Sequence, residues 1–316
     1  MKIVLPTGLA ALALMFAPAA AQAGCAGFES QGTGLSVRYD PFSGAPINHA
    51  FNIRVSRTDP SVTAVRFILV DPDPRGGRSQ FGAGGPQGYD VEWARDSSRP
   101  VFFSGAEQPN ATNGAVVSFK AGPAGDVVNE SFRLMAPAGQ SVGSGDYYEP
   151  LEVRYVCYSG EERLDAAEIQ QAGRVALDLE TPDMISAFIG SAGMRRGEID
   201  LGVLNPDQSS SGTVVVTAQS TSPYELSVSS KWGVLRRGDA DAAGLRYSMR
   251  LGGIPVEAGA ALVCDRTPAP SGRSHPLQVT VSGEDVSAQP AGAYSDVVTL
   301  TFSPRLGLSP GAGCSI

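Results

Sequence analysis

The chain has 316 residues, a formal net charge of −8 and only 18% charged residues, whereas glycine and proline number 38 and 23. The negative balance disfavours nucleic acid and anionic lipid as binding partners. The many turn-forming residues and the near absence of long helical patterns favour a turn-rich all-β chain, long enough for two domains.

The N-terminus has the pattern of a secretory signal peptide, which we predict to span residues 1–23. Lys2 supplies the positive charge, an apolar stretch follows, and Ala21-Gln22-Ala23 is a small-x-small cleavage site. The apolar stretch is too short for a membrane-spanning helix. Lipidation of Cys25 is the alternative, which Gln22 disfavours because an aliphatic residue is usual there. We therefore expect export through the periplasm, to the cell surface or the medium.

The first domain is predicted to span residues 24–160 and to form a β-sandwich. Turn residues, such as Asp40-Pro41 and Asp59-Pro60, separate short alternating segments, as in an antiparallel sandwich. The predicted strands lie at residues 35–39, 51–55, 65–70, 89–93, 100–103, 115–119, 131–135 and 147–157.

Residues 161–180 are predicted to be a linker that contains an alternating strand, which is a candidate for completing the first domain. Residues 161–171 form the only segment of the mature chain with a helical-turn pattern, and Arg174 to Glu180 alternates as a strand. Two interpretations of this strand stay open. It completes the first domain within the same chain, or it opens the second domain.

The second domain, residues 181–316, repeats the plan of the first. Residues 199–204 run into Asn205-Pro206, as residues 35–39 run into Asp40-Pro41. Further strands are predicted at residues 213–217, 224–229, 245–249, 277–281 and 294–302.

One predicted strand occurs twice in the sequence, and its two copies align without a gap. Tyr147, Leu151, Val153 and Tyr155 of the first copy correspond to Tyr294, Val298, Leu300 and Phe302 of the second, and both copies begin with Gly-x-Tyr. This period-two alternation predicts the same half-buried strand in two related β-domains.

Four cysteines, Cys25, Cys157, Cys264 and Cys314, predict two disulfides, because the count is even and the chain is exported. Three connectivities are possible. The pairs are Cys25–Cys157 and Cys264–Cys314 if each domain closes its own bridge. A metal site is not expected, because there is no Cys-x-x-Cys and only His49 and His275 could assist.

Three segments resemble the spore coat protein U-type family. Arg38 to Pro46 is similar to the "YDP-x-SG-x-P" opening of that family, and Leu245 to Leu251 to its "L-x-Y-x-L" strand. Pro290 to Asp296 resembles its closing motif, of which Ser144 to Tyr147 is a looser copy. This chain differs from the single-domain members of that family because it has two domains.

The resemblance implies a subunit of an archaic chaperone–usher pilus, built from immunoglobulin-like sandwiches that each lack a last strand. It implies a periplasmic chaperone and an outer-membrane usher as transient partners. It also implies an adjacent pilin subunit whose donor strand fills the open groove, and a part in biofilm formation.

The residues after the predicted cleavage site bear on the position in the fibre. A polymerising subunit carries an alternating donor of roughly a dozen residues before its first strand, in line with β-strand addition. Residues 24–34 show no such alternation, which favours a two-domain tip adhesin. Because no alternating strand follows Phe302, we infer that the second domain is incomplete and accepts the donor.

Candidate adhesion residues are Phe42, Ile47, Phe81 and Val142, which are apolar residues in Gly/Pro-rich loops. If residues 147–157 lead into the linker, the loops at 40–50, 71–88 and 136–146 lie at the pole far from the second domain. Clustered exposed apolar side chains mark an interaction surface, here for an abiotic or host surface.

Catalysis and cofactors are not expected. Neither His49 nor His275 has the spacing that pairs a base with a nucleophile, and the Ser-Gly pairs lack the context of a hydrolase serine. The glycine-rich residues 82–88 lack a phosphate-loop lysine. The alternative to a pilus subunit is a stand-alone secreted structural protein with two self-complete sandwiches.

Overall fold

The computed structural model of the chain describes residues 24–31, 36–72, 88–120, 126–164, 168–238, 244–267, 271–305 and 314–315. The predicted signal peptide and the candidate residue Phe81 lie outside the described residues. Within these ranges the regular structure is almost entirely β, arranged in four sheets around two cores. The expected all-β chain of two tandem sandwiches is confirmed.

The first sandwich contains the described strands between residues 26 and 181. These are β1 (Ala26–Gln31), β2 (Ser36–Arg38), β3 (Ile47–Arg57), β4 (Ala64–Asp71), β5 (Asp90–Trp93), β6 (Phe102–Ser104), β7 (Ala115–Ser118), β8 (Val127–Ala136), β9 (Gly145–Ser159), β10 (Glu162–Arg163) and β11 (Glu168–Thr181). One sheet has the order β1-β3-β8-β5, and the other β2-β11-β9-β4-β6, with β7 paired to β4 and β10 to β9. The pairs β2–β11 and β4–β6 are parallel, and the others are antiparallel.

The core of this sandwich follows from the alternation of its strands. Period-two side chains of the two sheets meet between them. The Phe28 ring lies 4.9 Å from the Phe67 ring and 4.9 Å from the Tyr155 ring, and Phe132 lies 5.9 Å from Phe67. These rings come from β1, β4, β8 and β9, so they join both sheets.

The second sandwich contains the strands after residue 184. These are β12 (Ile185–Ile189), β13 (Ser210–Ser220), β14 (Tyr224–Ser230), β15 (Ser248–Leu251), β16 (Ile254–Val256), β17 (Ala261–Cys264), β18 (Arg273–Val281), β19 (Val298–Pro304) and β20 (Cys314–Ser315), with the helix α1 (Gly283–Ser287) before β19. Its two sheets have the orders β12-β13-β18-β15-β16 and β19-β14-β17-β20, and every pair is antiparallel.

The predicted helical turn over residues 161–171 is wrong. Its described residues form β10, which pairs back onto β9, and the start of β11. A short polar segment gains little from an isolated helix, whereas the ladder beside β9 satisfies its backbone. The helix α1 begins instead after Ser282, whose side chain accepts from the Glu284 N–H. No helix in the described ranges is long and apolar enough to cross a membrane.

The duplicated sequence is also a duplicated structure. The Tyr147 hydroxyl donates to the Gly143 carbonyl at 2.7 Å, and the Tyr294 hydroxyl donates to the Pro290 carbonyl at 2.7 Å. In each copy the tyrosine of Gly-x-Tyr therefore closes the turn that precedes the strand, and the shared sequence has a shared structural reason.

Both disulfides lie within single sandwiches. Cys25–Cys157 ties the residue before β1 to β9, and Cys264–Cys314 joins directly opposed residues of β17 and β20. These are the pairs expected if each domain closes its own bridge.

Candidate functional site

The two copies of the duplicated strand have different neighbours. In the first sandwich β9 lies between β4 and β11, so that a strand covers each of its edges. In the second sandwich β19 pairs with β14 along one edge, and no described residue forms a strand on the other. An uncovered edge exposes backbone donors and acceptors to any extended segment that approaches it.

The polar groups at this edge can be assigned from the antiparallel ladder. Val297 and Arg305 make their backbone hydrogen bonds to residues beside β14. Because hydrogen-bonding direction alternates along a strand, Val298, Leu300 and Phe302 turn their backbone groups to the free edge. The side chains of the same three residues pack against the second core.

Burial differs between equivalent positions of the two copies. Leu151, Val153 and Tyr155 on β9 are 0%, 0% and 3% exposed. Their counterparts on β19 are only partly buried, although they face the core in the same way. We call the gap beside β19 the open groove. On the β19 side it is bounded by Val298, Leu300 and Phe302, which pack against the second core together with other partly buried apolar residues.

The second copy of the strand is also shorter than predicted. We predicted a strand over residues 294–302, but β19 begins at Val298, whereas β9 begins at Gly145. In the first sandwich, residues 145–151 pair with β11 alone, because β4 begins its pairing at Glu152. No described strand takes the place of β11 in the second sandwich, and before β19 begins the matching residues form a single bridge, between Ser295 and Arg236.

The strand predicted over residues 199–204 is absent for the same reason. Its counterpart in the first sandwich, β2, pairs only with β11. The segment nevertheless lies against β13, where a Cβ at Gly212 would approach the Ile199 Cγ2 to 2.5 Å. The side chains of Ile199 and Leu201 pack against the second core, but their backbone has no strand partner among the described residues.

The first sandwich indicates what would fill the open groove. The β11 residues Val175, Leu177 and Leu179 alternate along the strand and are each 0% exposed. β11 runs antiparallel to β9 and parallel to β2. A segment with this alternation and direction has the chemistry needed to complete the second sandwich.

A carboxylate fixes the chain where it enters β19. Asp296 accepts from the Tyr247 hydroxyl at 2.6 Å and from the backbone N–H groups of Trp232 and Val297. Burial, followed by the hydrogen bond to Asp296, raises the pKa of Tyr247 to about 12, so this hydroxyl stays protonated at neutral pH. These side-chain contacts hold the entrance to the groove together with the two backbone hydrogen bonds that Ser295 exchanges with Arg236.

The predicted positions of the adhesion loops require a correction. Residues 40–50 and 136–146 do share one pole with Gly88, the described end of the third loop, since Gly88 donates to Gln140 and the Tyr39 hydroxyl donates to the Pro137 carbonyl. That pole faces the second sandwich, because Ser144 donates to the Thr221 carbonyl at 2.9 Å. The expected far-pole placement is wrong. The residues after β9 do not lead directly to the second sandwich, since β11 returns along β9 and ends at Thr181, opposite Gly145.

The candidate side chains themselves differ in accessibility. Val142 is buried in the first core, so it is not an exposed adhesion residue. Ile47 is half-buried and packs against that core, and Phe42 is half-buried at the turn after Asp40. The adhesive role of Phe42, Ile47 and Phe81 stays a prediction.

The fold brings together a second group of side chains that sequence reasoning missed. Single ligand atoms of Cys264, His275 and Cys314 lie within 4.8 Å of one another. Their spacing forms no known metal motif. The pairing of β17 with β20 places the two disulfide-bonded cysteines side by side, and the packing of the two sheets brings His275 of β18 next to them. The sequence held one signal of this proximity, because His275 falls on one of the inward-facing positions of an alternating apolar strand.

No known family model matches the sequence, and no curated protein sequence matches it. Solved structures with similar folds include the CupB6 tip adhesin from Pseudomonas aeruginosa, at 15% identity and a TM-score of 0.43, covering 90% of this chain and 94% of that one. Another is the chaperone–tip adhesion subunit complex of archaic Csu pili from Acinetobacter baumannii, at 14% identity and a TM-score of 0.41, covering 84% and 96%. Such a likeness concerns the course of the backbone, and the proposed function therefore depends on the geometry of the chain itself.

Proposed function

We propose that the chain is a non-enzymatic subunit of a chaperone–usher type pilus, and that it is the tip adhesin. The observation that carries this proposal is the open groove beside β19, at the place that β11 fills in the first sandwich. An extended segment of the neighbouring subunit enters the groove and adds a strand to β19. During export a periplasmic chaperone covers the same groove, and an outer-membrane usher exchanges it for the subunit.

The start of the mature chain supports the terminal position. Residues 26–31 form β1 and pair along β3, while Cys25 is tied to Cys157. These residues are therefore built into the first sandwich and do not extend toward a neighbour. The first sandwich, completed by its own β11, is the part that remains for adhesion at the cell surface.

Strand uptake can be tested on the full mature chain. The probe is a peptide with the alternation of residues 174–180, and the matched control carries serine at the positions of Val175, Leu177 and Leu179. We expect the probe to raise the unfolding temperature and to slow amide hydrogen exchange at Leu300 and Phe302, because it supplies the missing ladder.

The contrary outcome favours the stand-alone secreted protein. It would consist of slow exchange at Leu300 and Phe302 before any peptide is added, with no gain in unfolding temperature afterwards. Equal effects of the probe and its serine control would also contradict strand addition, since the apolar side chains would then contribute nothing.

A further inference from the structure

The turn that precedes β9 in the first sandwich is covered by the second sandwich. Ser144 donates its N–H to the Thr221 carbonyl at 2.9 Å. Gly143 lies against the Arg266 guanidinium, since a Cβ at this glycine would come within 1.9 Å of the Arg266 Nη1. Gly143 is buried and Ser144 is half-buried. The turn is therefore a docking point between the two sandwiches, outside the ladder of β9 and β11.

The second sandwich meets this turn with a corner that also holds the chain leaving β11. Thr221 directly follows β13, and its hydroxyl donates to the Pro182 carbonyl at 2.7 Å. The Met184 N–H donates to the same hydroxyl at 2.8 Å, and the Thr221 N–H donates to the Met184 carbonyl at 3.0 Å. One corner residue thus joins the exit of the complementing strand to the turn before β9.

The first sandwich has a corner of the same kind. Thr58 directly follows β3, as Thr221 follows β13. The Thr58 N–H donates to the Cys25 carbonyl at 3.1 Å, and its hydroxyl donates to the Gly24 carbonyl. In both sandwiches a threonine therefore holds the residues before the first strand. A neighbouring subunit of this fold would carry its donor segment just ahead of the residues that such a corner holds.

The matching turn of the second sandwich, residues 290–293, is preformed but exposed. Arg237 donates to the Ala291 carbonyl at 3.1 Å, and the Tyr294 hydroxyl donates to the Pro290 carbonyl. Residues 290–293 are all exposed, and none of the described residues accepts a hydrogen bond from the Ala291 N–H. The turn has its internal contacts and lacks the cover that its counterpart has.

A strand with the direction of β11 would leave the open groove at this turn. β11 ends at Thr181, opposite Gly145, and the equivalent of Gly145 in the second copy is Gly292. The next residue toward the N-terminus, Ala291, takes the place of Ser144. The exit of an incoming strand therefore lies beside Ala291, and the corner of the neighbouring subunit comes within reach of this N–H.

We propose that residues 290–293 form a second contact surface for the neighbouring subunit, on which the Ala291 N–H donates to the backbone carbonyl of that subunit's corner residue. This contact rests on the proposed function, because it requires a neighbour whose strand fills the open groove. The partner is a β-sandwich with a hydroxyl-bearing corner like those of Thr58 and Thr221. A hydrogen bond has a preferred direction, so the contact fixes how the two subunits are oriented.

The test combines the full mature chain with a donor chain built from it. In the donor chain, residues 174–182 stand before Gly24, so that the strand is followed by the corner at Thr58. Leu300→Asp in the donor chain keeps its own groove from taking up a strand. The free peptide of residues 174–182 is the matched control, because it supplies the strand without a corner.

Amide hydrogen exchange in the full mature chain, followed residue by residue by NMR, separates the groove from the turn. We expect the donor chain and the free peptide each to slow exchange at Leu300 and Phe302, because both supply a ladder. We expect the donor chain alone to slow exchange at Ala291. Ser144, whose N–H is bonded within the chain, is the internal reference for a covered turn.

Two substitutions at position 291 isolate the hydrogen bond. Ala291→Pro removes the N–H, whereas Ala291→Gly keeps it and serves as the control. We expect the donor chain to bind the Ala291→Pro chain about threefold to tenfold more weakly than the Ala291→Gly chain, the range of one hydrogen bond. The free peptide should bind both variants equally, and circular dichroism checks that both are folded.

The outcomes distinguish the contact from the groove. Slow exchange at Leu300 with unchanged exchange at Ala291 would overturn the contact and leave the groove in place. Equal affinity of the donor chain for the two folded variants, or an equal loss for the free peptide, would overturn it too. If Ala291→Pro does not fold, exchange at Ala291 in the parent chain decides. No slowing at Leu300 with either probe would overturn the proposed function and the contact together.

Discussion

The two sandwiches of this chain share a strand but not its environment. β9 is enclosed by β4 and β11, and its Val153 is fully buried, whereas Leu300 at the equivalent place on β19 is only partly buried. The same alternation therefore lies within a closed core in one place and, among the described residues, along an unpaired edge in the other. The difference lies in the neighbouring strand and not in the duplicated sequence.

The two sandwiches should differ most in how they tolerate an aspartate introduced at equivalent positions of the duplicated strand. Val153→Asp places a carboxylate in a closed core and should prevent folding, since an unpaired buried charge costs several kcal/mol. Leu300→Asp lies at the open edge and should leave the chain soluble and folded, but unable to take up the strand peptide. Soluble yield, unfolding temperature and peptide binding are the measurements. Equal loss of folding in the two variants would contradict the open groove.

The disulfides should differ modestly in their contributions to stability. Cys25–Cys157 closes a separation of 132 residues and Cys264–Cys314 one of 50. The chain-entropy model assigns them about 5 and about 4 kcal/mol. We expect Cys25→Ser/Cys157→Ser to lower the free energy of unfolding more than Cys264→Ser/Cys314→Ser, measured by denaturant titration. A reversed order would indicate that the second sandwich depends on its bridge for more than entropy.

Acid should weaken the second sandwich through His275. Its pKa, near 6.5 when unfolded, is lowered by burial and by Arg273 to about 4 in the fold. The unfolded chain therefore binds the proton first, so stability is complete above pH 6.5 and declines toward pH 4, by about 3 kcal/mol. Denaturant titrations at pH 7 and pH 4.5 should show this loss. It should persist in His49→Gln and diminish in His275→Gln, and a loss unchanged in His275→Gln would refute the assignment.

The smallest expected effect concerns the two tyrosine turns. Tyr147→Phe and Tyr294→Phe each remove one hydrogen bond, to Gly143 and to Pro290. We expect a cost of about 1 kcal/mol for Tyr147, and less for Tyr294, whose hydrogen bond is exposed. Thermal unfolding of the two single variants measures it. A larger loss for Tyr294 would show that this turn supports more of the groove than its exposure suggests.

Local patterns predicted the fold well because they depend on neighbouring residues. The alternation at Tyr147–Tyr155 and Tyr294–Phe302 identified both strands and the tandem arrangement. The pattern could not decide the length of the second copy, since residues 294–297 become a strand only if another strand lies beside them.

The positions of the loops could not be predicted from the sequence for a different reason. They depended on whether Arg174 to Glu180 returns along β9, and alternation alone is compatible with either sandwich. Once β11 pairs with β9, the loop at 136–146 lies next to Thr221, and Val142 becomes part of the core. The proximity of His275 to Cys264 and Cys314 was likewise hidden, because it depends on the packing of one sheet against the other.

The way β11 leaves the first sandwich has a mechanical consequence. β11 lies between β2 and β9, and only residues 182–184 separate its end from β12. Tension between an attached first sandwich and a held second sandwich would pull β11 along its own axis. Its hydrogen bonds to both neighbours would then be loaded in shear and would have to break together, instead of opening one at a time. We expect the first sandwich to resist force better than its equilibrium stability alone would indicate.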